Sequence, residues 1–110
     1  MLVTPFAAML AAVSPTADDP LTRPIAVEQA QDWLRPAPPV RVFGKTYLVG
    51  FGGLSVALID TGDGLILIDG ALPQAEPAIL ANIRKLGFDP RRIRYILSTE
   101  PHFEIGRAHV

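Results

Sequence analysis

The sequence has 110 residues, enough for one small domain and too few for a multidomain assembly. Apolar residues make up 49% and charged residues 19%, a balance that excludes a chain disordered throughout. Ten Lys and Arg against eleven Asp and Glu leave a formal charge of −1, with no basic stripe to meet nucleic-acid phosphates. Cysteine is absent, so disulfides, thiol nucleophiles and Cys-based zinc sites are excluded, and any metal site must draw on Asp, Glu and two histidines, His102 and His109.

Seven of the eleven prolines precede Val40, which predicts extended or looped chain over most of the first forty residues. Residues 1–17 carry no charged side chain and include the apolar run Phe6–Val13. That run is shorter than the roughly 20 residues of a membrane span. It matches the hydrophobic part of a secretory signal, with Ala17 before Asp18-Asp19 as the cleavage position; the alternative is an unstructured amino-terminal tail. Residues 18–39 form an amino-terminal extension. Within it Ile25, Ala26, Gln29, Ala30, Trp33 and Leu34 recur at helical spacing until Pro36, which predicts a short helix packing Trp33 on an apolar surface.

From Val40 the pattern becomes strand-like. Val40–Gly50 reads as a strand interrupted or turned at Gly44-Lys45, and Leu54–Asp60 and Leu65–Asp69 are short β runs joined by the turn Thr61-Gly62-Asp63-Gly64. Gly50, Gly52 and Gly53 precede no helix, so they mark a turn or a flap between strands rather than a phosphate-binding loop. Residues 75–86 then switch period: Ile79, Ile83 and Leu86 line one stripe, Glu76 and Pro77 suit a first turn, and Arg84, Lys85 and Gly87 suit the end. Ile93–Leu97 is a further strand. The predicted class is α/β, in the order β-β-β-α-β, a sheet with a helix on one face.

Ionisable residues gather after two of these strands. Asp69-Gly70 follows Leu65–Ile68, and Glu100, His102 and Glu104 follow Ile93–Leu97. Functional groups in α/β sheets concentrate beyond the carboxyl ends of strands, and a mixed imidazole–carboxylate set suits zinc. Alone, the spacing Glu-x-His-x-Glu also fits a solvated surface loop.

The string Leu65-Ile66-Leu67-Ile68-Asp69-Gly70, then a helix, then a strand ending in Ser98-Thr99-Glu100-Pro101-His102-Phe103, resembles the metallo-β-lactamase superfamily. Pro20–Ile25, Trp33-Leu34, Gly53-Leu54-Ser55 and Leu80–Arg84 look like its subclass B3. The resemblance implies that residues 40–104 are the amino-terminal part of an αβ/βα sandwich. It places Glu100 and His102 at the first two histidines of a His-x-His-x-Asp-His zinc loop, Glu104 at its aspartate, which orients the nucleophile or binds the second metal ion, and Ile105 at the next histidine. Asp69 then matches a supporting aspartate rather than a ligand. The implied parent is a periplasmic or secreted enzyme with one or two Zn²⁺ ions, opening the lactam amide of a β-lactam through an activated water. No nucleic-acid partner and no membrane span are expected. Another hydrolase of the superfamily, a lactonase or thioesterase, or a degenerate non-catalytic domain are the alternatives.

Three of the four loop positions depart from the family pattern. Glu100 stands in otherwise family-like sequence; a carboxylate there adds negative charge to the metal and weakens its Lewis acidity. Residues 105–110, Ile-Gly-Arg-Ala-His-Val, are what a common sequencing-library adapter encodes (ATC GGA AGA GCA CAC GTC). They are therefore expected to be non-biological read-through, with Asp and His following Phe103 in the natural gene. On that reading His109 has no role, and the 110-residue chain is expected to be inactive.

Overall fold

The computed structural model describes residues 23–26 and 28–99. The signal-like segment 1–17 and the tail 105–110 lie outside the described residues.

Five strands form one mixed sheet in the spatial order β1-β2-β3-β4-β5. The turn at Gly44-Lys45 divides the Val40–Gly50 run into two strands, β1 (Val40–Phe43) and β2 (Thr46–Leu48), paired antiparallel. β3 (Ala57–Asp60) and β4 (Leu65–Ile68) form the predicted hairpin. In its turn the Asp60 carboxylate accepts from the Gly62 N–H at 3.0 Å, and the Thr61 hydroxyl donates to the Gly64 carbonyl at 2.9 Å. β5 (Ile93–Leu97) pairs parallel to β4. A parallel neighbour needs a crossover, supplied here by the predicted helix, Glu76–Lys85.

A 3-10 turn, Pro73–Ala75, leads into that helix, and Pro77 sits in its first turn, where a missing N–H costs no bond. The helix ends as the sequence predicts. Gly87, at φ 89°, donates to the Arg84 carbonyl, and Phe88 donates to that of Ile83. This paired C-terminal closure needs a left-handed residue, which glycine adopts without strain. Phe88 is thereby set edge-on to Tyr47, with ring centroids 5.1 Å apart.

Register explains which residues are covered. Cross-strand partners share a face, so Tyr47, Leu58, Leu67 and Ile96 form one row across β2–β5. That row faces Ile79 and Ile83 of the helix, and with Val49, Val56, Leu65 and Ala75 it makes the core. Val40, Leu48, Ala57, Ile68 and Leu97 form the row on the opposite face. Both rows are apolar, but only the first is packed under the helix.

The helix predicted over Ile25–Leu34 is shorter: α1 covers Ala30–Trp33, and the crossover helix is α2. Ile25 is held otherwise. Its N–H donates to Gln74 Oε1 at 3.0 Å and its carbonyl accepts from Gln74 Nε2 at 2.8 Å. With both backbone groups taken by a side-chain amide 49 residues away, Ile25 has none left for a helical ladder. Leu34, rather than Trp33, packs against the core.

Candidate metal centre

Because β4 and β5 run parallel, their carboxyl ends emerge at the same edge of the sheet. The Asp69 N–H extends the ladder by one bond, donating to the Leu97 carbonyl at 2.7 Å. Asp69 then turns left-handed, at φ 67°, and Ala71 does so again at φ 56°. Aspartate tolerates this region; an alanine there is strained by an amount on the order of 1–3 kcal/mol. Between β4 and the 3-10 turn the chain therefore reverses sharply, and Leu72 enters the interior.

The reversal aims the Asp69 carboxylate at the segment leaving β5. Its Oδ1 accepts from the Thr99 N–H at 2.8 Å. The Thr99 hydroxyl, 3.0 Å from both Oδ1 and Oδ2, shares its one proton between them. Thr99 immediately precedes Glu100. The structure thus brings Asp69 and the root of the predicted ligand loop together across 30 residues of sequence.

Glu100, His102 and Glu104 themselves lie outside the described residues. Among the described residues no group of three or more His, Asp or Glu is arranged to hold a metal. The donors that follow β5 in the sequence, the carboxylates of Glu100 and Glu104 and the imidazoles of His102 and His109, suit zinc in kind. A catalytic zinc site keeps three protein ligands with an open position, and its histidine-rich form needs imidazoles that this chain does not hold.

The glycine cluster is not a free flap. Val49 donates to Val56 at 2.9 Å and Phe51 to Leu54 at 2.8 Å, so Gly50–Leu54 is the tip of a hairpin-like turn. The tip lies on the amino-terminal extension: Gly52 donates to the Arg35 carbonyl at 2.8 Å, and Phe51 bridges Pro36. A side chain at Gly53 would stand 2.5 Å from the Asp32 carbonyl oxygen, which is why glycine is required at this contact. A cleft of about 420 Å³ lies nearby, lined by Leu34, Pro36, Phe51, Ala78, Asn82 and Lys85 among others. It shares no residue with the Asp69–Thr99 edge and holds one ionisable group, so hydrolytic chemistry is not placed there.

Two polar residues to which the sequence assigns no individual role, Asn82 and Thr99, fasten these layers. The amide of Asn82, 7% exposed inside α2, donates to the Val49 carbonyl at 2.9 Å, with Gly50 and Ala37 carbonyls at 3.4 Å. Thr99 is the other. Neither carries a local signal, because their partners lie 30 or more residues away.

The profile of the metallo-β-lactamase superfamily matches residues 49–104. Among solved structures, the chain is 76% identical to a B3 metallo-β-lactamase described as the first with an active-site glutamic acid. That match covers 79% of this chain and 33% of that one, with a TM-score of 0.74. It is 47% identical to MEM-A1, a subclass B3 metallo-β-lactamase from a soil metagenome library, over 66% of this chain and 27% of that one, TM-score 0.63. GOB-18, a metallo-β-lactamase from Elizabethkingia meningoseptica, is 35% identical over 72% of this chain and 29% of its own, TM-score 0.68. The chain spans a third or less of the length of these relatives.

Proposed function

We propose, because the chain belongs to the metallo-β-lactamase superfamily, that it forms about the first third of a subclass B3 zinc β-lactamase. One observation carries this reading. A B3 enzyme with an active-site glutamic acid is 76% identical to this chain, and here a glutamate, Glu100, follows the clamp at the carboxyl edge of the sheet. Glu100 and His102 are the residues of this chain that hold the metal. Zinc, when bound, supplies Lewis-acid activation of water and of the lactam carbonyl. Residue 104, aspartate in the natural gene, orients the attacking water. Asp69 acts on none of the reacting atoms and instead anchors the loop that carries these groups. Residues 1–17 direct export, and 105–110 are adapter read-through.

The test uses the full-length protein, obtained by sequencing the source locus past the codon for Phe103. The expected continuation has an aspartate codon where this chain has Glu104 and a histidine codon where it has Ile105. The purified protein should bind zinc and open a chromogenic cephalosporin, lose turnover on chelation and regain it with added Zn²⁺. Zinc-loaded protein that leaves β-lactams intact while cleaving lactones or thioesters would reassign it within the superfamily. Replacing Glu100 by His should change zinc affinity and move the pH–rate profile to lower pH, because a neutral ligand leaves the metal a stronger Lewis acid. An unchanged affinity and profile would remove Glu100 from the metal site.

A further inference from the structure

We propose that the cleft between the amino-terminal extension and α2 binds a small N-acylated amino acid, a ligand that carries an apolar acyl chain, an amide N–H and a carboxylate in that order. The cleft shares no residue with the Asp69–Thr99 edge, so the proposal stands apart from the hydrolytic reading.

The helix supplies one wall. Ala78, Ala81, Asn82 and Lys85 recur at spacings of three and four residues, which places them along one face of α2. The two alanines keep that face low, and Leu34, Pro36 and Phe51 line the cleft from outside the helix. Its volume of about 420 Å³ falls within the roughly 300–1,000 Å³ of small-molecule sites, which combine apolar walls with a few placed polar groups.

Two polar groups are placed here, and both are unspent. Asn82, 7% exposed, lines the cleft while its Nδ2 is held at the Val49 carbonyl, 2.9 Å away. The two arms of an amide diverge, so Oδ1 is turned away from that carbonyl. Among the described residues no donor reaches Oδ1. A buried acceptor without a donor is costly, and a ligand N–H removes that cost. Lys85, exposed at the end of the stripe, forms no ion pair among the described residues and is free to meet a carboxylate.

Order and spacing select the ligand. Asn82 and Lys85 are about 4.5 Å apart along the helix axis, and Ala78 lies about 6 Å from Asn82 on the other side. An N-acylated amino acid holds its N–H and carboxylate one carbon apart, which lets the two meet Asn82 and Lys85 together. Its acyl chain then runs back over Ala81 and Ala78. A plain fatty acid brings no N–H, and a neutral amide brings no charge.

The experiment titrates the full-length protein with N-octanoylglycine by calorimetry, with and without a metal chelator. N-octanoylsarcosine, in which a methyl group replaces the N–H, and the uncharged N-octanoylglycinamide are the comparison probes. N-octanoylglycine should bind about 10-fold more tightly than either. K85M keeps an apolar stem and should weaken N-octanoylglycine about 10-fold while leaving the uncharged probe unchanged, because charge and carboxylate act through one contact. A81L should fill the cleft and abolish binding of all three. Both positions are exposed, so the variants should unfold at the wild-type temperature. Binding should persist under chelation. No binding by the wild-type protein, equal affinity for the three probes, or wild-type affinity in K85M or A81L would overturn the proposal. Binding lost on chelation would overturn it too, by placing the probe on the metal.

Discussion

The two faces of the sheet carry the same kind of residue and meet opposite fates. On one, Leu58 and Leu65 are fully buried beneath Ile79 and Ile83 of α2. On the other, the row Val40, Leu48, Ala57, Ile68 and Leu97 is half-buried at Ala57 and Ile68 and exposed elsewhere, with Val40 at 51% and Leu97 at 50% exposure. Tyr95, one register step away, is 63% exposed. A sheet with one solvated face alternates apolar and polar residues along its strands; β4, reading Leu-Ile-Leu-Ile, is apolar on both sides. Such a strand suits a sheet covered on both faces, and the described residues supply one cover, α2. The B3 metallo-β-lactamase that is 76% identical is about two and a half times as long as this chain.

The sharpest way to break this comparison is to ask what the bare face does alone. The isolated 110-residue chain should self-associate in light scattering and bind an apolar dye, because contiguous exposed apolar surface seeks a partner. Placing Lys at both Tyr95 and Leu97 should make it more soluble. In the full-length protein the same pair of substitutions should lower stability, burial of each side chain being worth about 1.5–3 kcal/mol. Equal behaviour in both settings would show that the face is never covered.

The helix-covered face should respond the same way in either context. Ile83→Ala empties a fully buried position and should cost about 2–5 kcal/mol in denaturant unfolding. Asn82→Ala removes the donor shared by the Val49, Gly50 and Ala37 carbonyls and should cost about 1–3 kcal/mol. If Asn82→Ala proves neutral, the amino-terminal extension is not fastened through Asn82, and the Ile25–Gln74 pair and the contacts of Arg35 and Pro36 with Gly52 and Phe51 hold it instead.

The same contrast shows what a sequence discloses. α2 was legible because period, capping and dipole all act within one turn of the residue concerned, and Gly87 announces its own left-handed conformation. The β3–β4 hairpin was legible from Thr61–Gly64 for the same reason. The amino-terminal helix was overread, because helical spacing over Ile25–Leu34 says nothing of Gln74, 49 residues on, which competes for the Ile25 backbone. The glycines at 50–53 read as a turn or a flap; that Gly53 must clear the Asp32 carbonyl is a fact of tertiary approach. At the site, Asp69 drew notice through its place at a strand end and through family resemblance. Its partner Thr99 stands in the string that carries the same resemblance, but nothing in the sequence pairs the two; the parallel pairing of β4 with β5 brings them together.

The smallest expected effect lies at the turn into β5, where Asp89 caps the 3-10 segment Pro90–Arg92. Its carboxylate accepts from the Arg91 N–H at 2.9 Å and pairs with the guanidinium at 3.0 Å. The side-chain bond to Arg91, then its backbone bond, hold Asp89 below the usual 3.8. A carboxylate depressed in the folded state stabilises above its unfolded value, and the contribution disappears as pH falls through the folded value. The pair is open to solvent and screened, so Asp89→Asn should lower the melting temperature of the full-length protein only slightly at pH 7. That small difference should shrink once pH drops below about 3.8 and vanish at lower pH, where the aspartic acid is as neutral as the amide. A difference that persists unchanged into acid would show that the charge of Asp89 contributes nothing. The turn would then be set by Pro90 and the strand it feeds.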